Sequence, residues 1–292
     1  MTYETLDAGR IARIWLDRPD AQNAQSRTLL VQLDEAFGRA EADDDVRVVI
    51  LAARGKNFSA GHDLGSEEAL AERTAGPRQH PSFQVNGGTR DAGAERTYLQ
   101  EWHYFFANTC RWRDLRKITV AQVQGNAISA GLMLIWACDL IVASDDAKFS
   151  DVVGVRLGMP GVEYYAHPWE FGARKAKELL LTGDAIDADE AYRLGMVSKV
   201  FPRAELEDKT VEFARRIAER PTMAALLIKD SVNAASDAMG FTEALRHAFH
   251  IHQLGHAHWA TANENRIPVG LPPDVPDWRT LGAPKPSRRD QP

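Results

Sequence analysis

The sequence predicts an α/β protein in which short strands alternate with helices and a mostly helical C-terminal part follows. Runs of β-branched residues recur in the first half of the chain, and apolar residues at helical spacing lie between them. From Pro160 onward, amphipathic helical patterns dominate. With 292 residues and a hydrophobic content of 44%, the chain is long enough to bury a large core.

The first half of the chain begins with a predicted β–α–β unit. We predict strands at four apolar runs: 11–16, 46–52, 118–124 and 139–144. Between the first two, Leu29, Leu33 and Phe37 recur at helical spacing after Ser26, which is a suitable N-cap. Residues 129–137 are apolar on every side, which indicates a buried helix.

The second half consists mainly of predicted helices. Amphipathic patterns place them at five segments: 173–181, 187–194, 203–219, 222–236 and 242–260. We therefore expect a core over residues 1–200 and a helical region over residues 201–292 that ends in an extended, proline-rich tail.

Two glycine-bearing turns are the clearest functional signal. They are Phe58-Ser-Ala-Gly-His-Asp63 and Gly125-Asn-Ala-Ile-Ser-Ala-Gly131, and each follows a predicted strand. Turns of this kind can aim backbone N–H groups at one point, and two such donors make an oxyanion hole. Binding sites commonly form where strands end and helices begin.

Composition excludes several classes of protein. A formal net charge of −6 gives no reason to expect a nucleic-acid partner. Only Cys110 and Cys138 are present, which favours buried thiols in a reducing compartment over a disulfide framework. The N-terminus lacks the pattern of a signal peptide, and no run approaches the roughly 20 apolar residues that span a bilayer. We expect a cytoplasmic protein that does not contact membranes.

The two turns occur together with Asp17-Arg-Pro-Asp-Ala-Gln-Asn-Ala24 and Ala137-Cys-Asp-Leu-Ile-Val-Ala-Ser144. In order and spacing, these four segments resemble the crotonase (enoyl-CoA hydratase/isomerase) superfamily over roughly residues 1–200. The resemblance implies a spiral of β–β–α turns and a helical C-terminal region that builds a homotrimer or a dimer of trimers. It also implies an acyl-CoA thioester as substrate, with coenzyme A present only as part of that substrate and no separate cofactor.

The resemblance further implies which residues bind the thioester. The backbone N–H groups of His62 and Ala130 correspond to the two donors that stabilise an enolate-like or tetrahedral oxyanion. The implied coenzyme A site comprises the residues beside those donors: Ala60, whose carbonyl would meet the adenine amino group, Gly61, Asp63 and Gly131.

The sequence departs from the family at the acid/base positions. Hydratases of this family usually present two glutamates that hold a water molecule. The corresponding positions here are Met133 and, because the run from Phe149 to Gly158 is one residue longer than usual, Val153 or a neighbour of Val153. Neither side chain accepts a proton at neutral pH. This departure argues against ordinary hydration and places Met133 and Val153 in the wall of the substrate pocket.

Glu163 and Asp151 are the leading substitutes for the missing glutamates. In an apolar wall, desolvation would raise the pKa of such a carboxyl toward the range of a general acid or base. The alternatives are a charge at a helix N-terminus for Glu163 and a solvated turn for Asp151. The His62 side chain is a third candidate, unless it faces the following loop without a chemical role. Four nearby residues are secondary candidates: Tyr164, Tyr165, His167 and Glu170.

The segment between Leu64 and Tyr98 is polar and glycine-rich, which predicts a long mobile loop over residues 65–97 that serves as a lid or an interface. A helix with a wide aromatic stripe follows it. The stripe, which includes Trp102, Phe106 and Trp112, is either ordinary core or a wall for an acyl or aromatic substrate tail.

Two further features receive weaker functional interpretations. His252 and His256 lie one helical turn apart and could bind a metal, but no acidic third ligand is evident nearby and the HExxH pattern is absent. We therefore predict no metal site. Lys229 either meets coenzyme A phosphates in a neighbouring subunit or is a solvated charge.

Three functions are compatible with these observations. The first is an acyl-CoA enzyme that acts through enolate stabilisation, with double-bond isomerisation, C–C cleavage or thioester hydrolysis favoured over hydration. The second is a non-catalytic acyl-CoA-binding protein, which would bind its ligand without turnover. The third is a structural oligomer that does not bind coenzyme A.

Overall fold

The computed structural model describes residues 1–73, 76–79 and 94–262. The strands are β1 (Thr2–Leu6), β2 (Ile11–Leu16), β3 (Val48–Ala53), β4 (Ile118–Val123), β5 (Asn126–Ile128), β6 (Leu140–Ser144), β7 (Lys148–Ser150), β8 (Ile186–Asp187) and β9 (Lys199–Phe201). The helices are α1 (Arg27–Ala42), α2 (Glu67–Glu72), α3 (Ala94–Gln100), α4 (Asn108–Arg113), α5 (Ala130–Trp136), α6 (Val153–Leu157), α7 (His167–Phe171), α8 (Ala173–Thr182), α9 (Ala188–Leu194), α10 (Leu206–Ala218), α11 (Thr222–Ala238) and α12 (Phe241–Ala262). A π-helical segment, Glu101–Ala107, joins α3 to α4, and short 3₁₀ turns lie at Asp7–Gly9, Pro19–Ala21 and Arg203–Glu205.

The strands form two sheets. The larger has the order β1-β2-β3-β4-β6-β9, and the smaller has the order β5-β7-β8. In the larger sheet only β1 is antiparallel to its neighbour, and β2, β3, β4, β6 and β9 run parallel. This mixed architecture confirms the predicted α/β fold class.

The parallel strands are buried on both faces of the larger sheet. Along β3, Val49 and Leu51 join the core cluster that includes the apolar side of α1. Their neighbours Val48 and Ile50 join a second cluster that includes Leu206 of α10. Because side chains alternate between the two faces of a strand, each face receives its own helical layer. For this reason, the sequences of the central strands β2, β3 and β4 are almost continuously apolar.

Local signals placed the main elements correctly. Ser26 precedes α1 and its hydroxyl oxygen accepts a hydrogen bond from the Leu29 N–H at 3.2 Å, as expected of an N-cap. Every residue of α5 is buried, in agreement with its uniformly apolar sequence. The two cysteines are free, and burial raises the pKa of each thiol to about 12. None of the helices in the described ranges is long and apolar enough to cross a membrane.

The structure corrects the predicted loop over residues 65–97 at both ends. The first end contains α2, whose N-cap Ser66 accepts from the Ala69 N–H at 3.1 Å, and the second contains α3. Residues 74, 75 and 80–93 of this segment lie outside the described residues, as do residues 263–292, which contain the predicted proline-rich tail. Helices of six or seven residues carry too little periodic signal to be separated from a polar loop.

Lys229 has neither of its predicted roles. Its side chain is buried, and its ammonium nitrogen lies 3.0 Å from the Asp139 carboxylate and 3.1 Å from the Lys117 carbonyl oxygen. The Asp139 carboxylate also accepts from the Thr119 N–H at 2.8 Å. Lys229 therefore ties α11 to the start of β4 from inside the subunit.

Candidate active site

The two glycine-bearing turns lie against each other. The Ser59 N–H donates to the Asn126 carbonyl at 3.1 Å, and the Ile128 N–H donates to the Ser59 carbonyl at 2.9 Å. Gly61 has φ of +92°, and a Cβ there would lie 2.8 Å from the Ile128 oxygen and 3.3 Å from the Ala130 nitrogen. Only glycine combines this backbone conformation with so close an approach.

In the described part of the chain, the N–H groups of His62 and Ala130 have no protein acceptor, whereas those of Gly61 and Asp63 on either side of His62 are paired. The Asp63 N–H donates to the Gln25 carbonyl at 3.0 Å. Ala130 is the first residue of α5, so its N–H has no acceptor within the helix. The preceding residue, Ser129, has φ of 49° and ψ of −113°, a strained conformation for a residue with a side chain. Each of the two adjacent turns thus presents an unpaired N–H donor, that of His62 in the first turn and that of Ala130 in the second.

The motif at residues 17–24 supports the first turn. Asn23 is fully buried with φ of 52°, and its side-chain amide donates to the carbonyls of Arg54 at 2.9 Å and Asn57 at 3.0 Å. Its own carbonyl accepts from the Ser59 hydroxyl at 2.9 Å. The amide of Gln25 donates to the same hydroxyl at 3.0 Å. These bonds hold the backbone that leads to Gly61.

Asp63 fixes the other side of the first turn. Its carboxylate accepts from the Ser66 N–H at 3.0 Å, from the Ser66 hydroxyl at 2.8 Å and from Arg18 at 3.0 Å. Burial acts to raise the pKa of Asp63, but the hydrogen bonds from Ser66 and Arg18 outweigh it and lower that pKa. Asp63 is therefore a turn-stabilising carboxylate. Ala60, on the opposite side of Gly61, is exposed.

The His62 side chain pairs with Glu163. The Nε2 atom of His62 lies 3.2 Å from Oε2 of Glu163, and the imidazole stacks on Phe105 with a centroid separation of 3.7 Å. Both side chains are largely buried, with exposed fractions of 14% for His62 and 4% for Glu163. With Nε2–H donating to Glu163, Nδ1 carries the lone pair. Within the described residues, Nδ1 is buried and has no hydrogen-bond partner.

The expectation of a raised pKa for Glu163 is wrong. Burial acts in that direction, but the electrostatic interactions of Glu163 with His62 and His252 and its hydrogen bond with His62 outweigh it and hold the pKa of Glu163 well below its ordinary value. Met133 is buried on α5, and Val153 is half-buried at the start of α6. Sequence reasoning considered these two apolar residues but did not place His62 and His252, which come from distant segments, beside Glu163.

Asp151 occupies a separate buried network. One of its oxygens lies 3.0 Å from Nε2 of His167 and accepts from the Val162 N–H at 2.9 Å, while the other accepts from the Val153 N–H at 3.0 Å. Burial acts to raise its pKa, but His167 and the backbone donors lower it. Asp151 is thus not in a solvated turn, and its pKa is not raised. Its catalytic role stays a prediction.

Three of the secondary candidates for proton transfer, Tyr164, His167 and Glu170, lie in different environments. The Tyr164 hydroxyl is buried and lacks a hydrogen-bond partner among the described residues, and burial raises its pKa. Burial raises the pKa of Glu170 to about 8. His167 is held by Asp151, as described above. The structure does not bring any of these three side chains into a described contact with His62.

The aromatic stripe divides into two parts. Phe105, another member of the stripe, contacts His62, whereas Trp102 and Phe106 each lie 5.1 Å from Phe249 of α12. The role of Trp102 and Phe106 in the substrate pocket stays a prediction. Trp112 belongs to the core, since its indole N–H donates to Asp34 on α1 at 2.9 Å.

Sequence reasoning also missed Glu101. The expectation that no acidic residue lies near His252 and His256 is wrong, because Oε1 of Glu101 lies 3.1 Å from Nε2 of His256. Glu101 is 7% exposed and lies among the aromatic residues of the π-helical segment. The sequence did contain a signal for this contact, because Glu101 lies within an otherwise apolar, aromatic stripe. A carboxylate that is buried in such a stripe requires a charged or hydrogen-bonding partner.

Comparisons with known proteins identify the family of this chain. The family model described as enoyl-CoA hydratase/isomerase matches residues 7–91 and 83–258. The Mycobacterium tuberculosis protein named "Putative enoyl-CoA hydratase EchA13" is 62% identical over 291 residues, which cover 99% of this chain and 91% of the relative. The 4-chlorobenzoyl coenzyme A dehalogenase-2 of an Arthrobacter species is 31% identical over 86% of this chain and 84% of its own length.

The fold is also similar to that of a solved structure. The crystal structure of a probable enoyl-CoA hydratase from Mycobacterium smegmatis has a TM-score of 0.80 and 43% identity, and the alignment covers 93% of this chain and 98% of that chain. The parallel sheet, the paired glycine turns and these matches together lead to one assignment. The chain belongs to the enoyl-CoA hydratase/isomerase family of the crotonase superfamily and is an acyl-CoA enzyme of the hydratase/isomerase type.

Proposed function

We propose that this enzyme isomerises the double bond of an enoyl-CoA thioester, with the His62 imidazole as the proton carrier. The observation that carries the proposal is the 3.2 Å contact between Nε2 of His62 and the Glu163 carboxylate. This contact leaves Nδ1, the ring nitrogen nearer the main chain, as the base. The base thus belongs to the same residue as one of the two unpaired N–H donors.

The thioester oxygen binds between the N–H groups of His62 and Ala130. As negative charge develops on that oxygen, each donor stabilises it by about 3 kcal/mol, the usual worth of one oxyanion-hole hydrogen bond. Ala60, Gly61, Asp63 and Gly131 surround these donors and hold the coenzyme A moiety, with the exposed Ala60 offering its carbonyl to the adenine amino group.

His62 then moves a single proton. Nδ1 removes a proton from C2 of a 3-enoyl thioester, the C2–H electron pair enters a dienolate, and the charge rests on the thioester oxygen. The imidazolium returns the proton to C4, which yields the 2-enoyl thioester without consuming water. Glu163 stays ionised throughout and stabilises the imidazolium, as the carboxylate of a catalytic triad does.

Isomerisation suits this site better than hydration. By the resemblance to the family, a hydratase uses two carboxylates to hold and split water, and this chain has Met133 and Val153 at those positions. A 1,3-proton transfer requires one base that can release the proton again. The His62–Glu163 pair satisfies that requirement with groups already in contact.

The test uses matched 3-enoyl-CoA and 2-enoyl-CoA substrates, including aromatic acyl groups because one relative acts on an aromatic thioester by its name. Absorbance of the conjugated thioester and mass spectrometry identify the product. We expect an isomer of unchanged mass, and we expect His62→Gln to lose at least about 100-fold in kcat. A product heavier by one water, or full activity in His62→Gln, would contradict the proposal.

We also propose that the enzyme works in the cytoplasm as a homotrimer or a dimer of trimers. The support is an apolar face on α11, where Met223, Leu227, Ile228 and Val232 are between 51% and 66% exposed. Met223 and Leu227 are i,i+4 neighbours, as are Ile228 and Val232, so they form two apolar pairs on the exposed part of the helix, and exposed apolar area of this kind ordinarily marks an interaction surface. Size-exclusion chromatography with light scattering tests it: Ile228→Asp should lower the molar mass, and a wild-type monomer would refute the proposal.

A further inference from the structure

We propose that Glu101, His252 and His256 form a binding site for one divalent transition-metal ion, with Zn²⁺ as the best-suited ion. The site lies between α12, which supplies both histidines, and the π-helical segment, which supplies the carboxylate. It adjoins the proposed isomerase site but does not depend on it.

The ligand atoms have the spacing that a tetrahedral metal requires. The Nε2 atoms of His252 and His256 are 3.1 Å apart. The two oxygens of Glu101 lie 3.1 Å from Nε2 of His256 and 3.8 Å from Nε2 of His252. An ion bound at about 2.1 Å from each tetrahedral ligand places neighbouring ligand atoms about 3.4 Å apart. All three residues can therefore reach one ion after movements of a few tenths of an ångström.

The surroundings already orient two of the ligands. Nδ1 of His252 lies 2.7 Å from the Gly161 carbonyl oxygen, which can only accept, so Nδ1 carries the proton and Nε2 presents its lone pair to the site. The Gln253 amide donates to Oε2 of Glu101 at 2.6 Å. Metal-bound histidines and carboxylates are characteristically held by outer hydrogen bonds of this kind.

The charges around the proposed metal site and its exposure to solvent also favour the binding of a cation. Oε1 of Glu163 lies 3.6 Å from Nε2 of His252 and adds a second carboxylate beside the ion, which offsets the opposing charges of Arg27 and Arg73 near Glu101. The His256 side chain is 24% exposed, whereas those of Glu101 and His252 are at most 9% exposed. An ion can therefore enter beside His256, and a water molecule can complete its coordination.

A competing explanation needs no ion. His256 can donate directly to Glu101, and the two histidines can share the remaining proton, which gives a hydrogen-bonded ion pair with similar distances. The two explanations differ in stoichiometric metal binding and in the coordination of the bound ion. Neither readout requires a substrate, so failure of this proposal is separable from failure of the isomerase proposal.

The experiment uses the untagged full chain, stripped with a chelator and titrated with Zn²⁺ by calorimetry and with Co²⁺ by visible absorption. We expect one ion per chain and the intense Co²⁺ bands of a four-coordinate site. His256→Gln should weaken binding by at least the roughly 10- to 100-fold loss that follows removal of an outer-shell partner. His258→Gln is the matched control, because His258 is exposed on the same helix and outside the cluster.

Two results would overturn the proposal. One is the absence of stoichiometric binding by the wild-type chain, and the other is equal affinity in His256→Gln and His258→Gln. Circular dichroism confirms that each variant is folded before titration. If His256→Gln does not fold, the Co²⁺ spectrum of Glu101→Gln against that of the wild type decides, since loss of the carboxylate must change the ligand field.

Discussion

Nε2 of His62 lies 3.2 Å from Oε2 of Glu163, and this contact joins the first glycine turn to the segment between α6 and α7. The turn offers a backbone N–H from the same residue whose imidazole Glu163 holds. Oxyanion stabilisation and proton transfer can therefore be supplied by two adjacent groups of one residue. The fold achieves this by pairing Ser59 with β5, which aligns the first turn with the start of α5.

The first prediction concerns Glu163→Gln. The substitution keeps the size of the side chain but removes the charge that fixes the His62 tautomer and stabilises the imidazolium. We expect kcat to fall by roughly 10³- to 10⁴-fold with little change in KM, by analogy with a triad carboxylate. Steady-state kinetics measure it, with the exposed Glu178→Gln as the control. A KM effect alone would assign Glu163 to binding and not to proton transfer.

The second prediction concerns Gly61→Ala. The new Cβ would meet the Ile128 oxygen at 2.8 Å, and φ of +92° is strained for alanine, so the two turns must separate. We expect a loss of stability of about 1–3 kcal/mol and weaker oxyanion stabilisation, seen as a lower kcat. In Gly38→Ala, a Cβ on α1 meets nothing within 4 Å, and we expect a gain of about 0.5–1 kcal/mol. Equal behaviour of the two variants in denaturant titrations and kinetics would show that the turns do not need Gly61.

The sequence was sufficient for elements with long periodic or apolar signals. Ser26 and the apolar spacing of α1, like the uniformly apolar α5, specify their structures locally. Strands β5, β7 and β8 have only two or three residues, and they form because the larger sheet brings their partners together. Tertiary context, which one sequence does not contain, decides them.

The candidate active site also contains features that the sequence predicts and features that it does not. The two turns were recognisable because glycine spacing records a backbone requirement in the sequence itself. The contacts of Glu163 with His62, and of Glu101 with His256, join residues from distant segments. The interactions of Glu163 with His62 and His252 reverse the pKa shift expected of Glu163 from burial alone. A carboxylate's electrostatic environment is thus a property of the fold and not of its neighbours in sequence.

The third prediction concerns Asp151→Asn. Removing the charge leaves His167 and two backbone N–H groups with a poorer acceptor in a buried site, so we expect a loss of roughly 3 kcal/mol at neutral pH. The pKa of Asp151 is below its ordinary value of 3.8, so the unfolded chain binds the proton more readily than the folded one. The stabilisation is therefore complete above that ordinary value and is lost as the pH falls through the folded-state pKa.

Denaturant titrations at several pH values check this sign. The difference in unfolding free energy between wild type and Asp151→Asn should be largest near neutrality and should shrink in acid. Asp184→Asn, on an exposed turn, is the control and should change stability by less than about 0.5 kcal/mol at any pH. A difference that grows in acid would mean that Asp151 is protonated in the folded protein.

The last prediction distinguishes an internal role for Lys229 from a role in coenzyme A binding. Lys229→Met keeps the length and the apolar stem but leaves the Asp139 carboxylate without its cation at 3.0 Å. Because this substitution leaves the Asp139 carboxylate partly buried without a cation, we expect the free energy of unfolding to fall by roughly 3 kcal/mol. We expect the Kd for coenzyme A to be unchanged. Denaturant titration and calorimetry measure the two quantities, and the exposed Lys209→Met is the control. Weaker coenzyme A binding by Lys229→Met at unchanged stability would contradict this prediction. It would mean that in the wild-type protein the Lys229 ammonium group leaves Asp139 and binds coenzyme A.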